Sequence, residues 1–278
     1  MTMKRYENQI PTDMSMGPKK IFSLLRDTLF LRSKLKPQAN VDVVAFRLSS
    51  EPVASDVARV TWFGHSAFLL EIEGKRLLFD PMLGARVPWA GARRYSKTLP
   101  IRAEDFPELD AIILSHDHYD HLDVSSIRKL KDKARRFIVP SGVGRHLVKC
   151  GVAPDKISEH RWYEEPAIDG ITLACLPARH FSGRGLFNRN CTLWCSWAIV
   201  GRETRVYFSG DSGYGPHFKE IGETYGPFNL TMLECGQYDE RWLIHMKPEE
   251  TVQAHLDLRG GLLIRSLGSV HACFSLMD

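Results

Sequence analysis

From residue 59 onward, apolar residues fall in short runs, and RVTWFGHSAFLLEIEGKRLLFDP predicts strands joined by a Glu73-Gly74 turn. LDAIILS, 109–115, predicts a short buried strand. After HDHYDH the pattern changes period: VSSIRKLKDK predicts a helix, RFIVP a strand, and GVGRHLVKCG a helix closed by glycine. The second half repeats the theme with ITLACLPARH, LWCSWAIVG, RVYFSGD, a helical HFKEIGETYG, the strand NLTMLEC and the helical KPEETVQAHLDLRG. This order fits an α/β fold with helices on the outer faces of sheets and chemistry at strand ends along one edge. Residues 1–55 lack strong strand signals and are expected to form an N-terminal extension with one helix, IFSLLRDTLFLRSKLKP, packed on the flank of a domain spanning 56–278. Residues 84–108, rich in Gly, Pro and Arg, predict a long loop.

Composition narrows the picture only a little. With 44% hydrophobic and 25% charged residues, the 278-residue chain reads as globular rather than disordered or fibrous. A net charge of +4 is too mild to argue for nucleic acid. No run approaches the length of a membrane span, and MTMKRYENQIPTDM lacks the apolar core of a secretory signal, so a cytoplasmic protein is expected. The apolar, basic-ended helix leaves room for peripheral membrane contact. Cys150, Cys175, Cys191, Cys195, Cys235 and Cys273 form no CxxC pair and are read as thiols.

The stretch ILSHDHYDHLD concentrates the chemistry. His116 and His118, two apart on an extended segment, project to the same side, and Asp120 and His121 follow as the chain turns into a helix. A surface loop whose histidines cap that helix is the bland alternative. Three histidines at set spacing arise by chance only on the order of once in 10⁴ starting points, so metal binding is favoured. Two further strand ends offer ligands: ARH ends in His180, and VYFSGDSG carries Asp211. Asp80, closing RLLFDP, is placed to accept a hydrogen bond from a ligand imidazole, and His65 in FGHS could line the same edge or equally serve a structural role. In the long loop, Arg86, Arg93, Arg94 and Lys97 with Trp89 could meet a phosphate and its apolar attachments, as could Arg184 with Phe187, although exposed charges commonly have no such role. There is no GxSxG elbow to supply a serine nucleophile.

HDHYDH with its flanking strands, GHSAFLLEIEGKRLLFDP, LPARHF, FSGDSGYGPHFKEIGETYGPFNL and MKPEETVQAHLDL together resemble the metallo-β-lactamase fold superfamily. Within it, the chain is similar to the branch of N-acyl-phosphatidylethanolamine-hydrolysing phospholipase D and its bacterial relatives. The resemblance runs from about residue 58 to residue 260 and implies a four-layer αββα sandwich with two zinc ions in an edge cleft. By that resemblance His116, His118 and His180 hold one ion, Asp120 and His121 hold the other, and Asp211 bridges them. Such a pair would lower the pKa of a bridging water and aim the resulting hydroxide at phosphorus, with Asp120 and Asp211 as the catalytic carboxylates. The implied substrate is a small phosphodiester or phospholipid-like molecule. A lactone or ester hydrolase on the same fold is the alternative, since the same nucleophile attacks carbonyl carbon.

One part departs from the branch. Where the resemblance implies a further ligand histidine after the last strand, in a segment like P-x-H-W-G-x-F, this chain reads LLIRSLGSVHACFSLMD, with Leu267 near the expected position and His271 four residues beyond. A change of reading frame near residue 264 is expected: codons can be chosen for LGSVHACFSLMD whose next frame spells LGAFMLAFHSW, and the gene's nucleotide sequence decides it. The sandwich is then expected to be incomplete at its C-terminus and the second metal site to lack one ligand, so that a non-catalytic fragment is a further alternative.

Overall fold

The structure is a computed structural model that describes residues 5–13, 22, 26, 47–49, 51, 53–54, 56–84, 101–185, 187–236 and 242–266. The basic cluster of the 84–108 loop, most of the 21–37 helix, and Leu267 and His271 lie outside the described residues.

Two six-stranded sheets carry the fold. The first runs β1 (Arg59–Gly64), β2 (Ala67–Ile72), β3 (Lys75–Phe79), β4 (Leu109–Ile113), β5 (Ala134–Pro140) and β6 (Ile157–His160) in spatial order. The second runs β12 (Gly260–Ser266), β11 (Phe228–Glu234), β10 (Arg205–Phe208), β9 (Ser196–Val200), β8 (Ile171–Leu176) and β7 (Ala167–Ile168). Sheet alternation builds the layers. On β2 and β3, Phe68, Leu70, Leu77 and Phe79 face the second sheet, where they meet Leu173, Trp197, Val206 and Phe208. Their neighbours Leu69 and Leu78 face outward onto Ile127 and Leu130 of α1 (Val124–Leu130) and Leu147 of α2 (Gly144–Lys149). On the far side, Ala174, Ala198 and Tyr207 pack on Phe218 and Ile221 of α3 (His217–Thr224) and on Ala254 and Leu258 at α4 (Pro248–Asp257). The result is the αββα sandwich. Each fully buried Phe or Leu adds roughly 1.5–3 kcal/mol relative to exposure, so the continuous layer between the sheets is a rigid base for the loops at its edge.

The period-2 and helical patterns correctly located most elements. β6 was missed because ISEH is an edge strand with no fully buried position and no apolar alternation. The expected strand LWCSWAIVG starts later, at Ser196, because Leu193, Trp194 and Cys195 are buried in the preceding loop rather than paired. Among the described residues no helix is long and apolar enough to cross a membrane.

Candidate metal centre

The HDHYDH loop leaves the first sheet at the end of β4. Asp80, at a left-handed φ of 36° just after β3, receives the Ser115 N–H at 2.7 Å, the Ser115 hydroxyl at 2.5 Å and His121 Nδ1 at 2.7 Å. One buried carboxylate thereby fixes both the entrance and the exit of the loop. It also dictates the His121 tautomer, because Nδ1–H bound to a carboxylate turns the Nε2 lone pair into the cleft. Asp123 then starts α1, accepting from the Ser125 and Ser126 N–H groups at 3.1 and 3.3 Å.

The loop is also held from the opposite sheet. Arg184 donates to the carbonyls of Asp117 at 2.7 Å and Leu122 at 2.9 Å, and its guanidinium lies 3.9 Å from the Tyr119 ring centroid. Arg184 therefore does not stand solvated on the surface as expected for a basic loop residue: its Nη1 is turned inward onto the loop. Its suggested companion Phe187 is 85% exposed.

All six expected ligands, together with Asp80 and His65, converge on one edge. His118 Nδ1 lies 2.8 Å from His116 Nε2 and 3.3 Å from His180 Nε2. Asp211 Oδ2 stands 3.8 Å from His116 Nε2 and 3.6 Å from His180 Nε2, while Oδ1 of the same carboxylate is 3.1 Å from His121 Nε2. His65, at φ 54° in the β1–β2 turn, sets Nε2 3.2 Å from Asp120 Oδ2. Two groups result whose donor atoms lie within 4.8 Å of one another: His116, His118, His180 and Asp211, and His65, Asp120 and His121. His65 is therefore closer to the centre than the role of lining an edge implied.

These atoms fit divalent cations. The buried His121 Nε2 and Asp211 Oδ1 face each other without forming a hydrogen bond, and among the described residues neither has another hydrogen-bond partner. Such orphaned donor atoms would be costly in a dry interior and are natural around an ion. Electrostatics points the same way. Burial, then the neighbouring imidazoles His121 and His118, pushes His116 well below the ordinary histidine value, and burial does the same to His180. Both are held neutral. Burial opposes ionisation of Asp211, yet His121, His245 and His180 keep its carboxyl well below the usual range. For His121 the burial penalty is outweighed by Asp211 and Asp80, which raise it well above its ordinary value.

The sequence reading missed His245. Its ring sits 5.0 Å from that of His180, and its Nδ1 is 3.1 Å from Oε2 of Glu234, the last residue of β11. Burial lowers it, but Glu234 and then Asp211 and Asp120 lift it to about 9. Glu234 also accepts the Met246 N–H at 2.9 Å, pinning the whole 242–247 turn against the centre. The available signal was a histidine just before a Pro-capped helix and a glutamate closing an otherwise apolar strand, which are weak marks when read singly.

A family model described as the beta-lactamase superfamily domain matches residues 75–266. An uncharacterized protein of Mycobacterium tuberculosis is 43% identical over 260 residues, covering 88% of this chain and 68% of its own. N-acyl-phosphatidylethanolamine-hydrolyzing phospholipase D 1 of Caenorhabditis elegans is 36% identical over 211 residues, 70% of this chain and 59% of that enzyme. The isothiocyanate hydrolase from Delia radicum gut bacteria superposes with a TM-score of 0.64 at 22% identity, over 77% of this chain and 87% of that one, which shows the shared fold. Fold and cluster together define a metal-dependent hydrolase. The chain belongs to the beta-lactamase superfamily in its metallo-β-lactamase form, and its relatives include the phospholipases D that hydrolyse N-acyl-phosphatidylethanolamine.

Proposed function

We propose that this protein is a binuclear zinc phosphodiesterase of the phospholipase D type, acting on a small or lipid-borne phosphodiester. The observation that supports the reading is the division of the Asp211 carboxylate, Oδ2 toward His116 and His180 and Oδ1 toward His121, so that it would be shared by both groups of ligands. His116, His118 and His180 would hold one ion. Asp120 and His121 would hold the other, with His65 beside them. When bound, the pair supplies a water activated at neutral pH and positive charge for the phosphoryl oxygens. Asp80 keeps His121 in the ligating tautomer, and Arg184 keeps the loop in one conformation. His245, held by Glu234 and one-fifth exposed, would give a proton to the departing alkoxide oxygen. The names of the relatives in worm and yeast support the phosphodiester over other substrates.

Purified protein is assayed side by side on a chromogenic phosphodiester and a lactone. The reading predicts zinc-dependent cleavage of the phosphodiester, lost by at least about 10³-fold in H118A. Turnover of the lactone alone would assign the ester-hydrolase alternative, and turnover of neither by zinc-loaded protein would contradict catalysis.

A further inference from the structure

Residues 5–13 lie far from the metal motifs in sequence yet touch their scaffold. Their exposure alternates strictly: Tyr6, Asn8, Ile10 and Thr12 are half-buried while Arg5, Glu7, Gln9, Pro11 and Asp13 are exposed. That is the signature of an extended segment laid with one face on the domain. Tyr6, Asn8 and Thr12 meet the connection between β8 and β9, and Ile10 meets the loop before α3. The Tyr6 N–H donates to the Asn190 carbonyl at 2.9 Å, Thr12 Oγ1 accepts from Arg179 Nε at 3.0 Å, and Ile10 lies beside Gly215. Asn8 makes the central contact. Its Nδ2 donates to the His180 carbonyl at 2.9 Å, and its Oδ1 accepts the His180 N–H at 3.0 Å and the Trp194 indole N–H at 3.2 Å. Its donor meets an acceptor and its acceptor meets two donors, so the orientation of the amide is fixed by its partners.

We propose that residues 5–13 act as a strap across the edge of the metal centre and that Asn8 is a positioning residue for His180. His180 has left the sheet and is followed by a loop, so the regular pairing of β8 no longer restrains its backbone. The Asn8 amide replaces that pairing with two hydrogen bonds, one on each side of the residue. Together with the bond between His180 Nδ1 and the Ile244 carbonyl at 3.0 Å, it holds Nε2 on His118 and Asp211. The inference rests on the metal-site reading above and adds a residue outside the matched family region to it.

The test measures zinc affinity by chelator competition and the visible spectrum of the cobalt(II)-loaded protein, for the full-length wild type, N8A, N8D and Q9A. Gln9 is the control because its side chain points away from the centre to the Tyr163 hydroxyl. N8A should bind the His116/His118/His180 ion about 10–100-fold more weakly and show altered cobalt bands, as expected when a group orienting a ligand is lost. Q9A should match wild type. N8D keeps the acceptor and loses the donor, so it should fall between the two, and it carries the test if N8A does not fold. N8A or N8D with lower thermal stability but wild-type zinc affinity and spectrum would make the contact merely structural and overturn the proposal. A wild type that binds no zinc would instead overturn the metal-site reading, and this inference with it.

Discussion

His217 shows how an ionisable side chain near the centre can act on stability without being a ligand. It is buried at the start of α3, with Nε2 3.2 Å from the Ser212 hydroxyl. Burial, helped by the nearby Arg179 cation, lowers it from 6.5 to about 3. The folded protein therefore keeps His217 neutral while the unfolded chain protonates it. The associated stability is complete above pH 6.5 and is lost progressively as the pH falls toward about 3. From neutral pH to about pH 5 the loss is roughly 2 kcal/mol. Urea unfolding at the two pH values should show H217Q losing less stability than wild type by about that amount; equal losses would show that His217 carries none of the acid sensitivity. At this scale the sequence was informative wherever a residue's type and spacing were enough. His116, His118, Asp120 and His121 sit within one loop, Asp80 directly follows β3, and Asp211 lies three residues past β10. His245 and Asn8 were not legible, because each owes its place to a tertiary partner: Glu234 at the end of β11 for His245, and His180, 172 residues away, for Asn8.

Among the elements, the 181–190 loop illustrates how the two sheets are tied at the metal edge. Besides the Arg184 contacts, Gly183 donates to Asp117 Oδ1 at 2.7 Å, and Tyr119 returns a bond to the Arg184 carbonyl at 2.8 Å. Charge-assisted hydrogen bonds of this kind are costly to break when the carbonyls they leave belong to buried residues such as Asp117 and Leu122. R184A should lower stability by about 2–4 kcal/mol. Lysine should not restore it, having neither the planar fork nor the face that stacks on Tyr119. Chemical denaturation checks both variants, and an R184A midpoint equal to wild type would contradict the clamp. The 242–247 turn is seated just as closely: a Cβ on Gly213 would lie 1.8 Å from the Leu243 carbonyl oxygen, so only glycine lets this turn bring His245 to the centre. The sequence placed most strands and helices through their periodicity but was silent on these loop seatings, which depend on tertiary contact rather than local pattern.

On the scale of the whole molecule, each sheet contributes half of the centre. The first supplies His65, Asp80 and the 116–121 loop, and the second supplies His180, Asp211 and His245. Their relative position is set by the apolar layer between them, in which Phe68 stacks on Phe79 at 4.5 Å and meets Phe208 edge-on at 5.0 Å. The αββα architecture was legible because both halves alternate strands and helices and because the motifs resemble a known superfamily. The strap was not, because its alternation uses Tyr, Asn, Ile and Thr rather than a run of aliphatics. In the proposed enzyme the two halves would enclose two cations with Asp211 shared between them. Elemental analysis of protein purified without chelator and dialysed against trace zinc tests it most directly. Close to two ions per chain are expected in wild type, with fewer in D211A. One ion or none in wild type, or an unchanged two in D211A, would contradict it.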